Sequence, residues 1–300
     1  MGATLPQGLD PERHIVIAGP TASGKSALAL AIAEAQGGTI VNADALQIWS
    51  CWRVLTARPS LQDEARAPHR LYGHVNPGQS YSVGDWLTAV RALAQPDAQP
   101  GSNGRLIITG GTGLYMSALT RGLAVIPPVP AEIRAQGDAM LAAGGLQQMI
   151  ADLDADTHAR IDLKNPARVQ RAWEVLTATG RGITSWQAET PPPFISPDQG
   201  QLLVIDADRD RLATRIATRF SLMMAEGALD EVHALLPQWD GAAQWAKAIG
   251  APELVAHLRG ELTLDQAVEL AVISTRQYAK SQRIWFRGRM RDWRHINAGI

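Results

Sequence analysis

Short apolar runs that stop at glycines alternate with stretches of helical character along the first third of the chain. Residues 14–19 read HIVIAG, a β-branched run closing on a glycine, and residues 25–35, rich in Ala and Leu, favour helix. The pattern predicts a strand, a loop and a helix in succession. It predicts a second strand over 38–42 and a third over 105–109 (RLIIT), just before Gly110 and Gly111. Strands separated by helices imply parallel pairing through crossover connections, hence an α/β core with a parallel sheet flanked by helices.

The texture changes near residue 127. Stretches 131–153 and 166–179 read as helices, and a Pro-rich segment at 190–197 closes the region. A fourth strand is expected at 201–206, followed by long helices over 210–236 and 264–289. The expected organisation is the first part of the core at 1–126, an inserted helical domain at 127–198, and a return to the core with C-terminal helices and a basic end at 199–300.

Composition narrows the class. With 46% hydrophobic and 19% charged residues, 300 residues can bury one sizeable core and a second, smaller one. The net charge of -1 gives no global reason to expect nucleic acid, so an RNA site would have to be a local basic patch. Cys51 is the single cysteine, which excludes an internal disulfide and a cysteine-based zinc site and suits a reducing compartment, read here as the cytoplasm. The first residues lack an apolar signal region, Pro6 spoils a myristoylation motif, and no apolar stretch approaches the ~20 residues needed to span a bilayer. No membrane role is expected, and the chain is expected to act as a monomer.

Gly19-Pro20-Thr21-Ala22-Ser23-Gly24-Lys25-Ser26 has a glycine, four residues, then Gly-Lys-Ser, placed between the first strand and its helix. That is a P-loop NTPase-like arrangement. Glycines let backbone N–H groups turn around phosphate oxygens, the helix N-terminus adds its dipole, Lys25 adds a point charge and the Ser26 hydroxyl can hold Mg²⁺. A diphosphate or triphosphate site follows. The loop does not say what carries the phosphates; Asp206, ending the 201–206 strand, could serve a metal or merely open the next helix.

This loop together with Asn42-Ala43-Asp44-Ala45-Leu46-Gln47 resembles the tRNA dimethylallyltransferases. Matching blocks recur in order: Thr56-Ala57-Arg58-Pro59, Pro68-His69-Arg70-Leu71, Gly110-Gly111-Thr112-Gly113-Leu114-Tyr115, Asn165-Pro166-Ala167-Arg168-Val169-Gln170-Arg171, Lys247-Ala248-Ile249-Gly250, and Thr275-Arg276-Gln277-Tyr278-Ala279-Lys280-Ser281-Gln282. The resemblance runs from about residue 14 to 289. It implies a P-loop fold with an inserted helical domain that binds dimethylallyl diphosphate rather than ATP, needs Mg²⁺, and prenylates N6 of adenosine 37 in the tRNA anticodon stem-loop. The base would be flipped out of its stack, at a cost of a few kcal/mol.

Roles follow residue by residue from the resemblance. Asp44 takes the proton of the N6 amine, a chemically apt task because that lone pair is delocalised; on the residues alone, a helix-capping Asp is the alternative. Arg219, with Arg215 as a rival, clamps the departing diphosphate, and Thr112 sits near the reacting centre, a plain Gly-Gly turn being the alternative. Gln47 reads the flipped adenine beside Asp44, Ala45, Leu46 and Thr112. Arg134, Ala167, Arg168, Val169, Gln170 and Arg171 meet the RNA, as do Lys247, Ala248, Ile249, Gly250, Ala251 and Pro252. Between 276 and 295 seven Lys or Arg face one acid and interleave with Tyr278, Trp285, Phe286 and Trp293, which suits RNA but also fits an amphipathic helix with a solvated basic face. Ala45, Trp49 and Ala251-Pro252 depart from the family's usual Ser, Tyr and Tyr-Arg. Rival readings are an ATP-dependent small-molecule kinase, a prenyltransferase acting on free adenine nucleotides, and a non-catalytic RNA-binding module.

Overall fold

The computed structural model describes residues 5–95 and 104–297. In chain order the elements are β1 (His14–Ala18), α1 (Lys25–Gln36), β2 (Thr39–Asn42), α2 (Leu61–Arg66), β3 (His69–Arg70), α3 (Val83–Leu93), β4 (Leu106–Gly110) and α4 (Gly113–Arg121). There follow α5 (Ala131–Ala142), α6 (Leu146–Asp152), α7 (Ala155–Arg160), α8 (Pro166–Thr179) and α9 (Ile183–Ala188). The chain then forms β5 (Gly200–Asp206), α10 (Arg209–Ala225), α11 (Ala228–Leu235), α12 (Ala251–Leu258), α13 (Leu264–Arg289) and β6 (Arg294–Asn297).

All six strands pair in parallel, in the order β3-β2-β4-β1-β5-β6. Ala18 pairs with Gly110 and Thr109 with Asn42, so β1, β4 and β2 end level with one another. Loops leaving those three ends therefore share one edge of the sheet, the carboxyl edge at which open α/β sheets bind ligands. Ile15, Ile17, Ile40, Ile107, Leu203 and Ile205 pack with Leu28 and Ile32 of α1 on one face. Burial on both faces is why these strands read as unbroken apolar runs.

Two compact units make up the chain, Met1–Thr120 with Ile195–Ile300, and Arg121–Phe194. The first junction lies six residues before position 127 and the second a few residues before 198. The smaller unit holds α5 to α9 and has its own core of Met149, Val169, Ala172 and Trp173, with the indole N–H of Trp173 donating to Asp152 at 3.1 Å.

Several elements differ from the pattern read in the sequence. The expected helix at 210–236 breaks at Gly227, which adopts φ 98°, a left-handed conformation that suits glycine, and continues as α11. The 131–153 helix likewise divides at Gly144-Gly145 into α5 and α6. The basic end closes as β6, an edge strand beside β5, with Phe286 and Trp293 buried at 3% and 7% exposure. Those two rings serve the core, which favours the amphipathic-helix alternative for them. A second, larger core was not visible in the periodicity: Trp49, Trp52, Leu55, Phe220, Val232, Trp245 and Leu254 converge from five segments. Among the described residues no helix is long and apolar enough to cross a membrane.

Candidate active site

The loop after β1 is built to leave amides free. Gly24 takes φ 88° immediately before α1, and no side chain caps that helix. Its first N–H groups keep their hydrogens for a ligand, and no acidic residue in the first turn competes with an anion. Lys25 Nζ folds back onto the Pro20 carbonyl at 3.3 Å. Burial lowers the Lys25 pKa to about 8, while Asp44 works to raise it and Arg219 to lower it further. Ser23 Oγ is buried and has no hydrogen-bond partner.

Beside this loop lies a cavity of 710 Å³ lined by Gly24, Lys25, Ser26, Arg58, Arg215 and Arg219, among others. Burial also displaces the Arg219 pKa below its ordinary value, opposed by Asp44 and reinforced by Arg215. A half-buried cluster of guanidinium and ammonium groups beside the open end of a helix suits an anion, since each cation is only partly solvated. Arg215 joins Arg219 here rather than facing solvent alone.

Asp44 follows β2 in an Asx-type turn. Its Oδ1 accepts from the Leu46 N–H at 3.0 Å, and its own N–H donates to Asn42 Oδ1 at 2.9 Å. No helix begins there, so the capping alternative falls away. From β4 the Gly110-Gly111 turn brings Thr112 alongside: Thr112 N–H donates to the Ala43 carbonyl at 3.2 Å, and Thr112 Oγ1 accepts from the Ala45 N–H at 2.9 Å. A methyl group on Gly110 would lie 2.1 Å from the Ala43 carbonyl oxygen, so glycine is what lets the two loops touch. A second, smaller pocket of 70 Å³ has Thr21, Asp44, Thr56, Arg219, Thr275 and Tyr278 in its polar lining, and Leu46, Leu55, Ile216, Phe220, Met223 and Ile249 in its apolar lining.

Tyr278 and Gln282, on α13, complete the site. Burial raises the Tyr278 pKa well above its ordinary value, with Asp44 adding to the rise and hydrogen bonds to Thr112 and Gln282 opposing it. Gln282 Oε1 accepts from the Thr21 N–H at 2.8 Å and its Nε2 donates to the Gly111 carbonyl at 2.9 Å. Gln282 does not stand out in the sequence beyond its place in a matching block, and Tyr278 stands out only among the aromatics of the basic C-terminal stretch.

Other expected contacts are placed less simply. Gln47 spends both amide hydrogens on the Thr56 and Ala57 carbonyls, at 2.8 and 2.9 Å, leaving only its oxygen for a base. Val169 is fully buried in the core of the helical unit, and Ala248 and Ala251 are fully buried too, so these three side chains pack inward instead of meeting RNA. Gly250 is buried, and Leu46 and Ile249 line the small pocket. Gln170 donates to Asp138 and Glu174, and Arg171 lies 3.7 Å from Glu174, so both are drawn toward carboxylates. Arg134, Ala167, Arg168, Lys247 and Pro252 are exposed. Asp206 pairs with His295 Nδ1 at 2.9 Å on the far side of β1 from Asp44.

A parallel α/β sheet with open backbone amides after β1, cations beside them and a carboxylate facing those cations is an arrangement suited to a group-transfer protein. Residues 47–289 match the family described as IPP transferase, and the chain belongs to that family. It is 70% identical over 97% of its length to a tRNA dimethylallyltransferase of Paracoccus denitrificans, covering 96% of that protein. It is 59% identical to one from Cereibacter sphaeroides, covering 97% and 92% of the two chains. The crystal structure of a tRNA isopentenylpyrophosphate transferase from Staphylococcus epidermidis superposes with a TM-score of 0.65 at 28% identity, covering 95% and 92%.

Proposed function

We propose that this chain transfers a dimethylallyl group from dimethylallyl diphosphate to N6 of adenosine 37 in the anticodon stem-loop of tRNA. The observation that carries this reading is the small pocket in which an apolar wall meets the phosphate loop, Arg219 and Asp44. An allylic chain suits the apolar wall, its diphosphate suits the Lys25 and Arg219 cavity, and Asp44 is the carboxylate between leaving group and acceptor. In the reaction the N6 lone pair forms a bond to the allylic C1, the C1–O bond breaks, and the electron pair leaves on diphosphate. Lys25, Arg219 and the loop amides stabilise the charge that builds on the bridging oxygen. Asp44 accepts the N6 proton, a role worth typically 10²–10⁴-fold in rate. Gln47, through its remaining oxygen, accepts a hydrogen from the amine of the flipped base.

Mg²⁺ fits this donor set through the ligand. Among the described residues no three His, Cys, Asp or Glu side chains form a metal cluster, while the Ser26 hydroxyl is exposed beside the 710 Å³ cavity. Mg²⁺ commonly keeps several waters and binds through substrate phosphates, so Ser26 and the diphosphate would hold it. When bound it adds charge neutralisation to the leaving group. The helical unit at 127–198, through Arg134, Ala167 and Arg168, and the 247–252 turn, through Lys247 and Pro252, supply contacts to the RNA. The protein works as a monomer in the cytoplasm.

The test is incubation of purified protein with Mg²⁺ and radiolabelled dimethylallyl diphosphate, with unmodified tRNA or AMP as acceptor, beside an ATP-consumption assay. Label confined to the adenosine 3′ of the anticodon is the expected result. Label in AMP alone would move the reading to a nucleotide acceptor, and ATP turnover without label would overturn it.

A further inference from the structure

Glu231 on α11 is a carboxylate that the reaction does not use, yet both of its oxygens are engaged by backbone N–H groups far away in the chain. Its two oxygens accept three consecutive backbone N–H groups: Oε1 from Arg53 and, at 3.1 Å, from Val54, and Oε2 from Leu55 at 2.8 Å. Successive amides converging on one anion form a nest, a feature usually reserved for a bound ligand. Here an internal side chain occupies it.

The segment so held is the partition between the two cavities. Leu55 and Thr56 line the small pocket with Asp44, while Ala57, Arg58 and Pro59 line the 710 Å³ cavity. Its other anchor comes from the Gln47 amide on the Thr56 and Ala57 carbonyls. Ala57 takes φ 49°, a left-handed conformation unfavourable for alanine, so the turn needs its supports to persist. Leu55 is itself 4% exposed and sits in the tryptophan-rich core, so a shift of this backbone moves a wall residue of the pocket.

We propose that Glu231 is a positioning residue that fixes the 53–57 partition and thereby sets how long an allylic chain the small pocket accepts. The inference rests on the proposed dimethylallyl donor. Glu231→Gln keeps the shape and one accepting oxygen but turns an amide NH₂ toward donors it cannot satisfy. Charge-assisted bonds of this kind are worth enough that losing them should raise the KM for dimethylallyl diphosphate about tenfold. The tRNA KM stays unchanged, and the preference for dimethylallyl over geranyl diphosphate falls. Glu231→Asp, which keeps the carboxylate, lies between the two.

The experiment measures kcat and KM for both diphosphates at saturating unmodified tRNA, with full-length wild type, E231Q and E231D, and records the melting temperature of each. Hydrogen exchange of the Arg53, Val54 and Leu55 amides in the wild type supplies an arm that needs no variant; slow exchange without donor is expected. An unchanged donor preference in folded E231Q, or fast exchange of these three amides in the wild type, would overturn the inference and leave the reaction intact. Absence of any transfer to tRNA by the wild type would overturn the reading of the reaction as well.

Discussion

If dimethylallyl diphosphate binds as proposed, Lys25 makes donor binding a titration. Its pKa of about 8 in the free protein arises from burial among cations, chiefly its own desolvation, and a diphosphate placed on the loop would draw it back toward the ordinary 10.5. At pH 7 about nine-tenths of the free protein carries the charge, and at pH 9 only about one-tenth does. Binding therefore takes up a proton above pH 8, and the Kd for dimethylallyl diphosphate should rise by up to about tenfold per pH unit between 8 and 10.5. A full return to the ordinary value corresponds to about 3 kcal/mol at roughly 1.36 kcal/mol per pKa unit. The donor's own phosphate ionisation lies near pH 6 and is finished below this window. The same displacement makes the ligand-free protein more stable as pH rises from 8 to 10.5, because the unfolded chain there holds a proton that the folded chain has released. Isothermal titration across pH 7 to 10, repeated in buffers of different ionisation enthalpy, reads both the Kd and the proton uptake. Lys25→Met should bind weakly and without pH dependence. A wild-type Kd that stays flat to pH 10, or a slope surviving in Lys25→Met, would refute the argument.

Asp44→Asn keeps the acceptor for the Leu46 N–H and so the turn, and should lower kcat by about 10²–10⁴-fold with little change in tRNA affinity, checked by single-turnover kinetics beside a filter-binding titration. Gly110→Ala drives a methyl group into the Ala43 carbonyl and should destabilise the protein by more than about 3 kcal/mol, read from denaturant melts. Trp173→Ala should cost about 3–5 kcal/mol in the helical unit, detected as hydrogen-exchange protection lost from α6 and α8 and retained in β1 and β4. Arg168→Ala should lower the slope of log affinity for tRNA against log salt by a little under one, whereas Val169→Ala should leave that slope alone, since its side chain is buried.

What the sequence disclosed was local. The apolar run of β1, the glycine spacing of residues 19–26 and the Ala-Leu helix lie within two dozen residues of one another, and pattern reading finds such features because each is decided by its own neighbours. Asp44 and Thr112 were singled out through the resemblance, and the bonds of Thr112 to Ala43 and Ala45, on either side of Asp44, follow from the level ends of β2 and β4. Glu231 was not legible: its partners sit 176 to 178 residues away, and an acid on an amphipathic helix looks like any solvated face. The same limit misplaced Val169, Ala248 and Ala251, which a matching block marked as RNA contacts while packing claimed their side chains. The break at Gly227 was hidden because a single glycine within an otherwise helical pattern does not distinguish a tolerated residue from a left-handed turn.

Gln282 shows how distant segments become one site. Its single amide is an acceptor for the loop after β1 and a donor to the turn carrying Thr112, and it is buried, so each lost bond would leave an unpaired polar group. The relative placement of the loop after β1 and the Thr112 turn thus depends on α13, whose approach is permitted by small residues: Ala267, Ala271 and Ala279 are buried on it, and Gly111 and Gly113 leave room where a methyl group would meet Gln282 at 2.2 Å and Trp285 at 2.5 Å. The proposed transfer between a bound carbon and a flipped base would tolerate little misplacement, since a shift of about 1 Å can cost about 10²-fold. A rigid 26-residue helix capped by Thr263, carrying one amide that both loops must satisfy, meets that tolerance better than either glycine-rich loop could alone.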